Sequence, residues 1–122
     1  ATPASAVMAD DVVVLQADDT IGRARDLILG VVVGALPVVD DRGHLVGILS
    51  SWDLVDDWSD TESVSTVMSG TPRTIAPTTP VSEMAHMMSR EGIHHLVVVE
   101  GRRPIGMVST LDLVDLIARQ GR

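Results

Sequence analysis

Cysteine is absent from this chain of 122 residues, which removes disulfides, thiolate nucleophiles and zinc–thiolate sites together. That suits a reducing cytoplasm, the expected location. Phenylalanine and tyrosine are also absent, and Trp52 and Trp58 alone offer no platform on which single-stranded nucleic acid could stack. Positive charge is scarce: nine basic residues face seventeen acidic ones, a net of −8, the wrong sign for releasing counterions from a phosphate backbone. No nucleic-acid partner is expected. Long hydrophobic runs are missing as well. The longest apolar stretch, residues 27–39, is broken by Gly30, Gly34 and Pro37 and falls short of the roughly 18–20 residues a membrane-spanning helix needs. Residues 1–9 lack the basic and long apolar regions of a signal peptide.

What is present is ample apolar material, 45% of residues with a mean hydropathy of +0.27, enough to offset the entropy of ordering one packed domain. Opening on Ala1 rather than Met suggests a piece of a larger protein.

The organising feature is an internal repeat. Val7-Met8 recurs as Val67-Met68, and Leu36-Pro37-Val38-Val39-Asp40 aligns with Leu96-Val97-Val98-Val99-Glu100, both at an offset of 60. After the next turn the offset becomes 59, and the segment from Gly47 through Ser50 and Asp53 to Asp56 matches the one from Gly106 through Ser109 and Asp112 to Asp115. One residue has been lost from the second turn. The expected division is a first repeat at 1–58, a polar join at 59–65 and a second repeat at 66–122. Units this small are expected to share one core.

Each repeat reads strand, helix, strand, strand, helix, a mixed α/β (α+β) pattern. Val81, Met84, Ala85 and Met88 share one helix face, and Gly92 stands where a left-handed cap would end that helix. Ile21, Ala24 and Ile28 form the counterpart, preceded by the capping sequence Asp18-Asp19-Thr20. Residues 40–44 join two apolar runs as a hairpin. A final helix is expected after Ser50 and again after Ser109.

These residues resemble the cystathionine-beta-synthase-type (CBS) domain, which occurs as tandem pairs. The marks are the Val-Met opening, the Leu-Pro-Val-Val-Asp strand running into a Gly turn, and Gly-apolar-apolar-Ser/Thr-x-x-Asp-Leu, present twice. The resemblance covers the chain from Val7 to Ile117. It implies two β-α-β-β-α repeats packed about a pseudo-twofold axis, two clefts that take adenosine-containing ligands, and pairing into a homodimer. It also implies that Asp53 and Asp112 bind ribose hydroxyls, that Ser50 and Ser109 contact phosphate, and that Gly34-Ala35 and His94-His95 line the clefts. Thr20 and Thr79, at the ends of the first strands, are implied to border the adenine or the neighbouring phosphate.

The residues alone point the same way with alternatives. A Ser at a helix N-cap with Asp three residues on gathers a hydroxyl, backbone N–H groups and the positive end of the helix dipole, where an anion could dock. The same pattern is also simply a capping box. His94-His95 reads either as a phosphate contact or as one packed and one solvated imidazole. The inner motif residues, Ser51-Trp52 and Thr110-Leu111, carry no charge, which argues against tight binding of a triphosphate unless Arg23, Arg73, Arg90, Arg102 or Arg103 reaches in after folding. Trp52 is expected at an interface, and Met84, Met87 and Met88 in core gaps or a helix interface. His86 with Glu83 and Glu91 reads as a solvated face, and no metal site is expected.

Three functions compete. The first is a non-catalytic regulatory module that binds AMP, ADP, ATP or S-adenosylmethionine and signals to a partner or attached effector. The second is a structural dimerisation module with empty clefts. The third, an enzyme acting on nucleotides, lacks a convergent base, nucleophile and metal set, and no required cofactor is expected.

Overall fold

The computed structural model describes residues 2–10, 12–30, 34–70 and 72–120. In chain order its elements are α1 (Ala4–Val7), β1 (Leu15–Gln16), α2 (Ile21–Ile28), β2 (Ala35–Val39), β3 (Leu45–Ser50), a 3₁₀ turn (Ser51–Leu54), α3 (Val64–Val67), β4 (Thr74–Ile75), α4 (Val81–Glu91), β5 (His95–Glu100), β6 (Arg103–Ser109) and α5 (Thr110–Gln120). They fall into two compact units. A central unit spans Val13–Pro72, and a terminal unit combines Ala1–Val12 with Arg73–Arg122.

Each unit contains a three-stranded sheet of the same design. In the central unit β1 pairs parallel with β2, and β2 pairs antiparallel with β3. In the terminal unit β4, β5 and β6 repeat that arrangement, and the register irregularity between Val38 and Val39 recurs between Val98 and Val99. The helices follow the apolar spacing. In α4, Met84 and Met88 are buried against Leu96, Val98 and Val108, while Ala85, expected on the same face, is exposed. Gly92 ends α4 in the left-handed region at φ 65°, where a side chain would be strained. In α2, Ile21 and Ala24 are buried against Leu15, Leu36 and Leu49, and the Thr20 hydroxyl accepts from the Arg23 N–H at 3.2 Å.

Each unit has its own cluster of buried apolar residues. Each fully buried leucine, such as Leu36, Leu49 or Leu96, contributes about 2–3 kcal/mol of transfer free energy. The repeats of the sequence and the units of the fold are also out of phase. The opening turn α1 belongs to the terminal unit, where Ala4 joins the core and Ala9 bridges to Met107. Its counterpart α3 belongs to the central unit, where Val64 joins the core and Ser69 bridges to Ile48.

The final helices differ. After Ser109 the helix runs eleven residues, Thr110–Gln120, but after Ser50 it shrinks to a four-residue 3₁₀ turn. Asp56 and Asp57 place two carboxylates where the negative end of a helix dipole would lie. Arg25 holds the chain in the non-helical path by donating to the carbonyl oxygens of Trp58 at 3.1 Å and Asp56 at 3.5 Å.

Candidate functional site

The sites are built at the strand ends where each sheet meets its final helix. In the terminal unit Ser109 closes β6 opposite His95 and is only 4% exposed. The Asp112 Oδ2 accepts from the Ser109 backbone N–H at 2.8 Å and from its hydroxyl at 3.2 Å. Thr110 donates its backbone N–H to the His94 carbonyl at 2.9 Å, and its hydroxyl lies 3.5 Å from His94 Nδ1. His94, Ser109, Thr110 and Asp112 thus converge, with the imidazole exposed and the serine buried.

The central unit repeats this construction with different side chains. Ala35 pairs with Ser50 across the hairpin, and Ser51 donates its N–H to the Gly34 carbonyl at 2.8 Å. The Asp53 Oδ2 accepts from the Ser50 N–H at 2.8 Å and its hydroxyl at 3.2 Å. Gly34 sits at φ 73°, and a Cβ there would come within 3.4 Å of the Ser51 hydroxyl. At the position His94 fills in the other unit, backbone conformation therefore favours having no side chain.

In both units one carboxylate oxygen, Oδ2, is committed to the capping box, and Oδ1 has no hydrogen-bond partner among the described residues. A carboxylate oxygen free beside a helix start is suited to accept from a hydroxyl. Thr20 and Thr79 stand apart from these boxes. Thr20 caps α2 and bridges to Ser63, while the Thr79 hydroxyl accepts from the Ala76 N–H at 3.0 Å and its carbonyl accepts from Ala4. No hydrogen bond joins either threonine to a box among the described residues.

A groove of about 880 Å³ lies elsewhere in the terminal unit, lined by Arg73, Thr79, Glu83, His86 and Arg90 among others. Of the expected site residues it takes in Thr79 alone. Arg73 is held there by Glu91 at 2.9 Å, and no cluster fit to hold a metal ion occurs among the described residues.

Trp58 is a neighbour of the first site that no spacing in the sequence indicates. Its indole N–H donates to the Asp53 carbonyl at 3.2 Å while its ring packs against the central core, a contact that requires the truncated helix. Trp52, by contrast, is 82% exposed.

The family model for the CBS domain matches residues 4–60 and again 64–119. The chain belongs to the CBS domain family. This CBS pair is 32% identical over 117 residues to L-aspartate semialdehyde sulfurtransferase of Methanosarcina acetivorans, a match that covers 93% of the chain but only 23% of that protein. Among solved structures, it is similar to the CBS domain pair of protein MJ0100 in complex with 5′-methylthioadenosine and S-adenosyl-L-methionine. There the TM-score is 0.87 at 25% identity, with 98% of each chain covered. It shares its fold with CBSX2, whose structure is in complex with AMP, at a TM-score of 0.88 and 20% identity over 100% of both chains.

Proposed function

We propose that this CBS pair is a non-catalytic regulatory module that binds an adenosyl ligand at its Ser–Asp boxes and passes the signal to a partner or attached domain. The observation that carries the reading is the duplicated box. Each holds a serine and an aspartate in fixed register, with one carboxylate oxygen committed to the fold and the other left to accept from a ribose hydroxyl. The ligands of the MJ0100 pair, a sulfonium and a thioether of adenosine, support that class. Asp53, Asp112, Ser50, Ser109, Gly34, Ala35, His94 and His95 are the proposed contacts, with Thr20 and Thr79 bordering the adenine or the neighbouring phosphate. Any conformational signal is limited by the ligand's differential affinity for the two states it selects between. A cytoplasmic setting belongs to the same reading, and the cysteine-free composition suits it.

The second reading, a dimerisation module, draws on α5. Leu111, Val114 and Ile117 are 66%, 53% and 67% exposed on a helix whose Leu113 is buried. Exposed apolar residues at this spacing fit a homodimer interface. The two readings are compatible, and occupancy separates regulation from assembly alone. The deciding experiment is calorimetric titration with AMP, ADP, ATP and S-adenosylmethionine, on protein shown by mass spectrometry to carry no nucleotide. Micromolar binding lost in Asp112→Ala supports the regulatory reading. Absence of heat from all four ligands leaves dimerisation as the function.

A further inference from the structure

The two boxes share a backbone but not a charge. Residues 13–72 hold ten acidic and three basic residues, a net of −7, whereas the rest of the chain holds seven acidic and six basic, a net of −1. The chain contains no lysine, so the central unit has only Arg23, Arg25 and Arg42 with which to meet an anion. Arg23 lies 3.6 Å from the Asp19 carboxylate. Arg25 is ion-paired with Asp60 and donates to two backbone carbonyls. Arg42 sits in the hairpin turn, and the intervening strand separates that turn from Ser50 by roughly 15 Å at about 3.3 Å per residue. That exceeds the Debye length of about 8 Å at physiological ionic strength.

Among the described residues no basic side chain of the central unit is hydrogen-bonded or ion-paired to Ser50 or Asp53. Gly34, held at φ 73°, brings no donor to the position where the terminal unit has the exposed His94. Asp56 and Asp57 follow the box directly, adding like charge to Asp53. The central unit's own charges therefore oppose a phosphate placed at this box and favour a cation.

We propose that the Ser50–Asp53 site selects its ligand by charge: it takes an adenosyl compound without phosphate, with a cationic sulfonium favoured over a neutral thioether, and rejects nucleotides. The Ser109–Asp112 site, in the nearly neutral unit beside His94, is the one open to phosphate. This proposal rests on the adenosyl reading above.

The protein carries its own probe. Both tryptophans lie in the central unit, and Trp58 donates its indole N–H to the main-chain carbonyl of Asp53. The full chain is titrated with S-adenosylmethionine, 5′-methylthioadenosine, AMP and ATP, following tryptophan emission and calorimetric heat in parallel. The amide resonance of Ser50, whose N–H is held by Asp53, serves as a second local readout. S-adenosylmethionine is expected to shift both local signals at a concentration at least about tenfold below that needed for AMP or ATP, a preference that weakens as salt rises. In Asp53→Asn the local response to S-adenosylmethionine is expected to disappear while any heat from AMP persists. Local signals that respond to AMP or ATP at equal or lower concentration overturn the proposal and leave the adenosyl reading standing. Heat from S-adenosylmethionine without a local response overturns it as well. Absence of heat from all four ligands removes the adenosyl reading, and the proposal with it.

Discussion

The Met8 sulfur lies against Gly106, 2.6 Å from where a Cβ on that glycine would stand. The Ala9 carbonyl is 2.9 Å from the same point, and Ala9 and Met107 exchange backbone hydrogen bonds beside it. Met68 and Gly47 stand in the same relation in the central unit. Each Val-Met opening is thus fixed to a sheet by a glycine that leaves room for a methionine.

Gly106→Ala and Gly47→Ala are each expected to destabilise the protein by about 1–3 kcal/mol, because the added methyl meets a carbonyl oxygen as well as a flexible side chain. Chemical denaturation measures this. Met8→Ala combined with Gly106→Ala should cost less than the two single changes added together, since the added methyl no longer meets the Met8 sulfur.

Asp112→Ala removes both hydrogen bonds that the Asp112 carboxylate accepts from Ser109 and should lower stability by about 0.5–2 kcal/mol. Asp112→Asn retains an acceptor for the Ser109 N–H and should recover most of that loss. Thermal stabilisation by AMP, about 2.7 kcal/mol at a hundredfold excess over Kd for the parent protein, should vanish in the alanine variant, while stabilisation by S-adenosylmethionine should persist.

Arg25→Met should cost about 1–2 kcal/mol, because a half-buried guanidinium that ties together Trp58, Asp56 and Asp60 is lost while the alkyl packing is kept. Trp58 emission should shift toward that of a solvated indole even in the folded protein. An unchanged spectrum with unchanged stability would show that the segment after the 3₁₀ turn is held by other contacts.

If α5 forms the proposed homodimer interface, Ile117→Asp on its exposed face should leave only monomer in analytical ultracentrifugation, while changing monomer stability by less than about 0.5 kcal/mol. Leu113→Ala, on the buried side of the same helix, should instead cost about 2–4 kcal/mol.

The sequence by itself determined what depends on local periodicity and on duplication. The apolar spacing of Met84 and Met88, the Gly92 stop, the Thr20 cap and the hairpins were legible because each rests on residues a few positions apart. The Ser–Asp boxes were legible for the same reason, since both partners lie three residues apart. Tertiary structure decided what depends on distant residues. Nothing periodic in the sequence says that Met8 packs on Gly106 rather than on its own repeat, or that Thr110 meets the carbonyl of His94. The truncated helix after Ser50 was not legible from spacing, because Leu54 and Val55 fit a helical pattern, whereas Arg25 comes from a distant element to hold the carbonyls of Asp56 and Trp58. Local propensity is written in neighbouring residues; the choice among possible partners is made by the packing and hydrogen bonds that close when separated segments meet.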